Sequence, residues 1–513
     1  MNQLKIWYVS PEVYPFAKTS ILGDITGSFP KSIKTKNHEI RVIMPKYKTI
    51  NERKYILREV IRLRDIPVTI DGETKIVNVK SAFLPDSKVQ IYFVEIQDYF
   101  GRVGLYADNK TGKEYADNAQ RFAYFCKAAL ETLKILSWKP DIIHCNDWQT
   151  AFVPIYLKTM YKDDDFLQQI KTVFTIHDLQ NQGIIKKNPG LGLDFAALAA
   201  AKDGPVDEAG NVNLLKGGLY FSDWITTVSK TYARQIFEND KYSYGLSKFL
   251  KSRSSKFSGI LNGVDYSVWS AASDKYIPFP YAPDKIEVKE QNKQALLTRI
   301  NLKYKEHYPV IGIISPLYEE KGIALILKEI KTLLQLNIQF VVLGIGDKKY
   351  EKDFQDLQNK YPDKINFNST FDETVVHMVI AGSDFLLMPA FYEPCGMIQM
   401  YGLKYGTIPI VHKTGGLAET VQELDLDKNK GNGFIFEKHN IKDLVRCIKK
   451  ALKLYKKAME TTRDNDPGQK AIVWNNMAQL ILDHRQTALY DEAIEYCKAA
   501  LKIRPFYQFP YPG

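Results

Sequence analysis

Short apolar segments rich in Val and Ile recur along the chain and constrain its fold more than any other feature. Segments such as Val310–Ser315 and Ile408–His412 are apolar at successive positions rather than at alternate ones. Parallel strands that are covered on both faces have this composition. Helical patterns such as Asp117–Leu136 and Ile323–Gln335 separate many of the segments, and such alternation builds doubly wound parallel sheets. About eleven segments are too many for one sheet, so we predict an α/β protein with two sheets.

The 513 residues suffice for two large α/β domains and an appendage. We place an N-terminal Rossmann-like domain at 1–270 and a C-terminal one at 306–457. The segment 271–305 contains three prolines and a very polar run, which is typical of a linker. Two domains of this kind are expected to face each other across a cleft that holds the ligand.

The last segment, 458–513, differs in composition from the rest of the chain. Its runs Trp474–Ala478 and Tyr490–Ile494 resemble one tetratricopeptide helix pair with a spacing about three residues too long. A single copy cannot bury its own apolar face. Two interpretations follow: amphipathic helices that pack on the body, or a module that docks a protein partner.

Composition excludes several classes of function. The net charge is +11, but the lysines are scattered and no arginine-rich tract with interleaved aromatics occurs, so no nucleic-acid partner is expected. No run approaches 18 uncharged apolar residues, which argues against a membrane span. The N-terminus lacks the features of a signal peptide, and the five cysteines form no CxxC pair. We therefore expect a cytoplasmic protein with neither a disulfide framework nor a metal site.

A carboxylate stands in a turn rich in Pro and Gly between a predicted strand and a predicted helix. Glu393 follows the apolar run Asp384–Pro389. Ligands of open α/β sheets bind at these carboxyl ends of strands, and a helix N-terminus there offers N–H groups to an anion. A carboxylate that merely caps the helix is the alternative. We treat Glu393 as a candidate catalytic residue.

A second turn of interest, Lys413–Leu417, follows the next predicted strand. Gly415 and Gly416 stand at its centre. Glycines reach positive φ and let the backbone approach a phosphate closely. At this spacing from Glu393, the turn predicts a site for a phosphate-bearing ligand.

Five segments of the chain together resemble the family of bacterial glycogen synthases and plant starch synthases. They are Val9–Thr19, Asp141–Thr150, Thr172–His177, Ser258–Asp265 and Glu393–Gly396. The resemblance implies a retaining glycosyltransferase of the GT-B fold, with two facing Rossmann-like domains and no metal or cofactor. It also implies transfer of glucose from ADP-glucose to the non-reducing end of an α-1,4-glucan. UDP-glucose is an alternative donor, because no residue of the sequence indicates whether the site binds adenine or uracil.

The resemblance assigns roles to individual residues. Glu393 would stabilise the glucosyl unit, and Lys321 would neutralise the leaving diphosphate. Asp147 and His177 would line the sugar subsite, with a buried structural histidine as the alternative at His177. The implied substrate-binding positions are Lys18, Asp24, Glu12, Asn262, Cys395, Gly396, Thr414, Gly415 and Gly416. Many other retaining transferases of this fold carry a second Glu eight positions after the first, where this chain has Tyr401, as the glycogen and starch synthases do.

Two departures from the family pattern affect the expected diphosphate site. Ser20 and Ile21 replace the glycines of the family's Lys-Thr-Gly-Gly-Leu loop. Isoleucine is poorly suited to positive φ and would block close approach of the backbone to a phosphate. Pro316 stands where the family has Arg, so a cation on the leaving group is missing. By analogy with the loss of one oxyanion donor, this change would cost roughly 10²–10³ in rate.

Two functional hypotheses follow from this pattern. The first is a working α-glucan synthase whose activity the two departures would reduce. The second is a catalytically impaired relative that binds glucan or nucleotide and recruits a partner through its helical tail. Because the candidate residues fall on both domains, we also predict that the site is complete only when the cleft closes.

Overall fold

The computed structural model describes residues 3–186, 191–370, 372–425, 428 and 430–464. The predicted tetratricopeptide-like runs at 474–478 and 490–494 lie outside these residues. The chain divides into two compact units, each described separately below. The first unit contains the described residues up to Val228 together with Ala233–Gly263, and the second contains Ser229–Tyr232 and the described residues from Val264 onward.

The first unit holds twelve strands within its described residues. They are β1 (Lys5–Val9), β2 (Glu39–Pro45), β3 (Arg58–Glu59), β4 (Ile66–Ile70), β5 (Glu73–Phe83), β6 (Gln90–Glu95), β7 (Ile142–Asn146), β8 (Lys171–Ile176), β9 (Ile184–Ile185), β10 (Val212–Asn213), β11 (Trp224–Thr227) and β12 (Phe257–Gly259). The second unit holds β13 (Val310–Ile314), β14 (Gln339–Leu343), β15 (Ile365–Asn368), β16 (Phe385–Met388), β17 (Ile408–His412) and β18 (Phe434–Phe436).

The α-helices are numbered in chain order. They are α1 (Ile21–Thr35), α2 (Gln97–Phe100), α3 (Asn118–Leu136), α4 (Phe152–Lys158), α5 (Phe195–Ala200), α6 (Leu214–Phe221), α7 (Lys230–Glu238), α8 (Asp240–Ser243), α9 (Ser247–Ser252), α10 (Lys289–Arg299), α11 (Ile323–Leu333), α12 (Lys348–Lys360), α13 (Glu373–Gly382), α14 (Ile398–Lys404), α15 (Leu417–Thr420) and α16 (Ile441–Asp464). No helix of the described segments is long and apolar enough to cross a membrane.

The sheet of the first unit runs in the order β12-β11-β8-β7-β1-β2-β6-β5-β3, with β4 paired to β5. From β12 to β6 every neighbouring pair is parallel. All five residues of β7 are buried, as strands covered on both faces require. The order reverses between β1 and β7, because the chain starts at β1, builds outward to β6 and then returns to β7.

The second unit has a fully parallel sheet in the order β15-β14-β13-β16-β17-β18. Numbered from its first strand, this is the order 3-2-1-4-5-6 of the Rossmann fold. Its core contains the buried faces of β13, β14, α11 and α16. The predicted fold class, α/β with two Rossmann-like sheets, is therefore confirmed.

The hairpin strands β3, β4 and β5 are absent from the sequence prediction. They pair antiparallel, and β4 alternates strictly between buried and exposed residues. Only one face of this hairpin is covered, so polar residues such as Lys75 and Lys80 interrupt its apolar pattern. The short strands β15 and β18 are also missing from the prediction, because apolar runs of three or four residues carry little periodic signal.

The segment 271–305, predicted as a linker, packs into the second unit. Trp269 stacks on His377 and Tyr401, with ring centroids 4.0 and 3.8 Å apart. Asp274 accepts a hydrogen bond of 2.6 Å from the Tyr405 hydroxyl. Some of the polar residues of the segment are buried and paired, since Lys293 lies 2.9 Å from Asp384.

Candidate active site

The topology places Lys321 and Glu393 at the same edge of the second sheet. The strand order reverses between β13 and β16, and the loops that follow these two strands carry Lys321 and Glu393. Ligands of open α/β sheets bind beside the carboxyl ends of strands at such a reversal. Sheet order and residue chemistry therefore point to the same place.

Lys321 and Glu393 are in direct contact. The Lys321 Nζ atom lies 2.9 Å from Glu393 Oε2, and the two side chains are 15% and 16% exposed. Gly322 follows with φ 73°, and a Cβ atom there would lie 2.2 Å from the Pro389 carbonyl oxygen. Glycine is required at this position, because the loops that carry the ion pair touch through their backbones.

The turn that carries Glu393 is held by hydrogen bonds from two other segments. The Thr414 hydroxyl donates to the Phe391 carbonyl at 3.0 Å, and the Gly416 N–H donates to the Pro394 carbonyl at 3.2 Å. The Phe391 N–H donates to the Glu320 carbonyl at 3.0 Å. These bonds fix the backbone on both sides of the carboxylate.

Gly415 and Gly416 allow two turns to meet. A Cβ atom on Gly415 would lie 1.8 Å from the Glu393 carbonyl oxygen, and one on Gly416 would lie 2.2 Å from that of Cys395. Gly415 and Gly396 have φ values of 42° and 68°. The sequence analysis interprets these glycines as a phosphate cradle, whereas the structure shows an additional reason for them, the contact between the two turns.

The side chains of Cys395 and Thr414 are buried, at 3% and 0% exposure. Neither predicted position therefore offers its side chain to a ligand in this structure. Pro316 is exposed directly after β13. It contributes no cation to this edge of the sheet.

In the first unit, Glu12 organises the loop after β1. Glu12 is 1% exposed and accepts hydrogen bonds from the Thr19 N–H at 2.7 Å, the Ser20 N–H at 3.1 Å and the Tyr106 hydroxyl at 2.8 Å. Burial raises the pKa of Glu12, although these bonds oppose the shift. Glu12, predicted to bind substrate, lies beneath the loop and holds its backbone in place.

Lys18 and Asp24, both predicted to bind substrate, form an ion pair of 2.7 Å. The Lys18 side chain is 33% exposed and lies against Gly23, where a Cβ atom would come within 2.9 Å of Lys18 Cγ. At Gly27 a Cβ atom would lie 2.4 Å from the Tyr14 carbonyl oxygen. Two glycines on one face of α1 thus let the loop rest on the helix.

The sequence predicts that the loop at Ser20 and Ile21 needs positive φ, to which isoleucine is poorly suited. This part of the prediction is wrong. Ser20 is the N-cap of α1 with φ −141° and ψ 176°, and Ile21 is the first residue of the helix. Neither belongs to the residues with positive φ. Any residue adopts these conformations, so the two substitutions impose no backbone strain.

Asp147 and His177 lie together at the carboxyl ends of β7 and β8. Asp147 has φ 55° and ψ 177°, a region that is essentially reserved for glycine and that marks functional sites when other residues occupy it. Its Oδ1 atom accepts a hydrogen bond of 2.7 Å from the His177 N–H. Burial raises the pKa of Asp147 well above its usual range, and the charge of Asp178 adds to the shift.

His177 and Asn262 line one pocket of the first unit. Its wall also contains Tyr8, Asn146 and Thr226. Burial lowers the pKa of His177 to about 3, so its imidazole is neutral at pH 7. The lining is mainly apolar, and a neutral His177 stands among the polar groups that it contains.

Sequence reasoning missed several residues that support the site. Tyr106 holds Glu12, Gly23 makes room for Lys18, and Asn146 bonds to His177 at 2.9 Å. The sequence does contain a signal for Asn146, because a polar amide stands at the carboxyl end of a buried strand. Tyr106 offered none, since 94 residues separate it from Glu12. In the described part of the chain, no group of three or more His, Cys, Asp or Glu side chains could hold a metal ion.

Two family models match the chain. Residues 5–252 match the starch synthase catalytic domain, and residues 297–466 match group 1 glycosyl transferases. A glycogen synthase of Pelodictyon phaeoclathratiforme is 41% identical over 451 residues, which cover 88% of this chain and 91% of the relative. A glycogen synthase of Pseudothermotoga lettingae is 42% identical over 461 residues, 88% of this chain and 92% of the relative.

Solved structures agree with these relatives. The catalytic domain of starch synthase IV from Arabidopsis thaliana, bound to ADP and acarbose, matches with a TM-score of 0.86 and 29% identity, covering 98% of this chain and 100% of that one. A sucrose-phosphate synthase from Thermosynechococcus elongatus matches with a TM-score of 0.55 at 13% identity over 97% of this chain and 99% of that one, a likeness of fold alone.

Two Rossmann-like units, with a Lys–Glu pair at the strand reversal of the second, define a glycosyltransferase of the GT-B fold. The relatives narrow this class further. The chain belongs to the glycogen synthase and starch synthase family.

Proposed function

We propose that the protein transfers glucose from ADP-glucose to the non-reducing end of an α-1,4-glucan with retention of configuration. The observation that carries this proposal is the Lys321–Glu393 pair at the strand reversal of the second sheet. The proposal is supported by relatives named glycogen synthase and by a starch synthase solved with ADP and acarbose.

The reaction needs charge stabilisation at two points. When the bond between C1 of glucose and the diphosphate oxygen breaks, positive charge develops on the sugar and negative charge on the diphosphate. Preorganised charges at those points lower the barrier. Lys321 would neutralise the diphosphate, and the Glu393 carboxylate would stabilise the sugar.

Retention follows if the acceptor attacks from the face that the diphosphate leaves. The acceptor oxygen then bonds to C1 as the bond from C1 to the phosphate oxygen breaks. The proton of the acceptor hydroxyl passes to the departing phosphate, so no protein base is required. This route agrees with the neutral His177, which would bind a hydroxyl without removing its proton.

The test is incorporation of labelled glucose into glycogen from ADP-glucose, with UDP-glucose in parallel. We expect turnover with ADP-glucose and its loss in Glu393→Gln. Pro316→Arg adds a cation after β13 and should raise kcat, by up to about 10²-fold if it acts like a restored oxyanion donor. Absence of turnover by the parent with either donor would contradict the proposal. Turnover by Pro316→Arg but not by the parent would instead support the hypothesis that the protein is a catalytically impaired relative.

A further inference from the structure

Asn146 is a fully buried amide at the end of β7, and its side chain bonds to groups on β1 and to the residue that follows β8. It is 0% exposed. Its Nδ2 atom lies 3.0 Å from the Val9 carbonyl oxygen. Its Oδ1 atom lies 2.9 Å from His177 Nε2 and 3.2 Å from the Tyr8 hydroxyl.

The orientation of this amide follows from its partners. A backbone carbonyl can only accept, so the atom of Asn146 that faces Val9 must be the NH₂ group. The carbonyl oxygen of the amide is then the atom that faces His177 and Tyr8. An amide oxygen only accepts, so His177 Nε2 must carry the proton of this bond.

The tautomer of His177 is fixed as a result. Burial keeps the ring neutral, with a pKa of about 3, and a neutral imidazole carries one proton. The proton is on Nε2, so Nδ1 holds a lone pair. The titratable groups near the ring are His144 on β7, Asp147 after it, Asp178 next in the chain and Tyr8 on β1.

We propose that Asn146 is a positioning residue that holds His177 in the Nε2–H tautomer and so makes Nδ1 a hydrogen-bond acceptor for a hydroxyl of the bound sugar. The fixed tautomer stands on the protein's own hydrogen bonds. The hydroxyl partner rests on the proposed function. The sugar hydroxyl would bind at the pocket that His177 and Asn262 line.

The direct test is nitrogen NMR of protein labelled with ¹⁵N-histidine. The chain has eight histidines, and the loss of one signal set in His177→Gln assigns the resonances. We expect a protonated Nε2 and an unprotonated Nδ1 for His177 in the parent at pH 7. A protonated Nδ1 in the parent would overturn the proposal, and this readout requires neither turnover nor a folded variant at position 146.

Two variants then test Asn146 itself. Asn146→Leu removes the acceptor that faces Nε2 at similar volume, so the ring should populate both tautomers. Asn146→Asp with its buried carboxyl protonated keeps an acceptor oxygen toward Nε2 and an O–H toward the Val9 carbonyl, so it should restore the Nε2–H form. If Asn146→Leu folds and leaves the His177 signals unchanged, Asn146 does not set the tautomer.

Kinetics separate positioning from a purely structural role. We expect kcat/KM to fall about tenfold or more in Asn146→Leu and to recover largely in Asn146→Asp, in step with the tautomer. Equal losses in both variants, with the tautomer retained in Asn146→Asp, would overturn the link between tautomer and rate. Should the parent show the expected tautomer but no transferase activity, the proposed function fails while the assignment of Asn146 as the residue that fixes the tautomer stands.

Discussion

Replacing Gly416 with alanine adds one methyl group at the contact between the two turns around Glu393. Gly416 has φ −66° and ψ −20°, so alanine fits its backbone without strain. The new Cβ atom would lie 2.2 Å from the Cys395 carbonyl oxygen. Reaching 3.0 Å, below which real Cβ contacts essentially do not occur, requires a movement of about 0.8 Å.

A movement of this size should affect rate more than stability. Overpacking costs about 1–3 kcal/mol of unfolding free energy. A misplacement of about 1 Å in a catalytic group can cost about 10²-fold in rate. We therefore expect Gly416→Ala to fold, with kcat for glucose incorporation from ADP-glucose reduced roughly 10- to 100-fold at saturating substrates.

The matched control is Gly72→Ala in the turn between β4 and β5. Gly72 has φ +85° with no atom within 4 Å of its added Cβ. Alanine there costs about 1–2 kcal/mol of backbone strain but moves nothing near Glu393. Thermal unfolding and kcat are measured for both variants. If Gly416→Ala is folded and retains the parental kcat, the reasoning from contact to rate is refuted.

Three further predictions rest on other parts of the site. Lys321→Met should lower kcat roughly 10²–10³-fold in the same assay, whereas Lys305→Met before β13, which removes an ion pair with the exposed Asp363, should leave kcat within about twofold. Ile21→Gly should not raise kcat. It should lower the unfolding free energy by about 1 kcal/mol in denaturant titrations, because Gly is a poor helix residue. A clear rise in kcat would show that the substitution at position 21 does limit the rate. Burial, together with the neighbouring His177, lowers the pKa of His144 to about 3, so the folded state takes up fewer protons than the unfolded state between about pH 6.5 and pH 3. Stability is lost as the pH falls through that window, by about 2 kcal/mol between pH 7 and pH 5, and equal losses in the parent and His144→Asn would contradict this account.

The parallel sheets could be predicted because their strands are buried on both faces. The predicted run Ile408–His412 matches β17 at both ends, Val310–Ser315 extends one residue beyond β13, and Asp384–Pro389 extends one residue beyond each end of β16. The hairpin β4–β5 could not be found in the same way, because one of its faces is open and its pattern alternates. Periodicity in the sequence therefore fails to predict strands that are buried on one face only and strands of three or four residues.

The candidate site shows a different limit. Glu393 could be placed at a strand end from local sequence alone, whereas Lys321 is named only by the family resemblance. The structure brings the two side chains within 2.9 Å. The function of Glu12 could not be anticipated, because its partner Tyr106 is remote in the chain. The conformation of Ser20 also depends on a helix start that the glycine pattern of the family does not reveal.

The assignment of 264–305 to the second unit has a practical consequence for recombining these proteins. A chimera that joins the first unit of one family member to the second unit of another should be spliced between Gly263 and Val264. A splice at 305 would pair one parent's Trp269 and Lys293 with the other parent's His377 and Asp384. Each of those contacts would then depend on two separately evolved surfaces, whereas the earlier splice keeps both contacts within one parent.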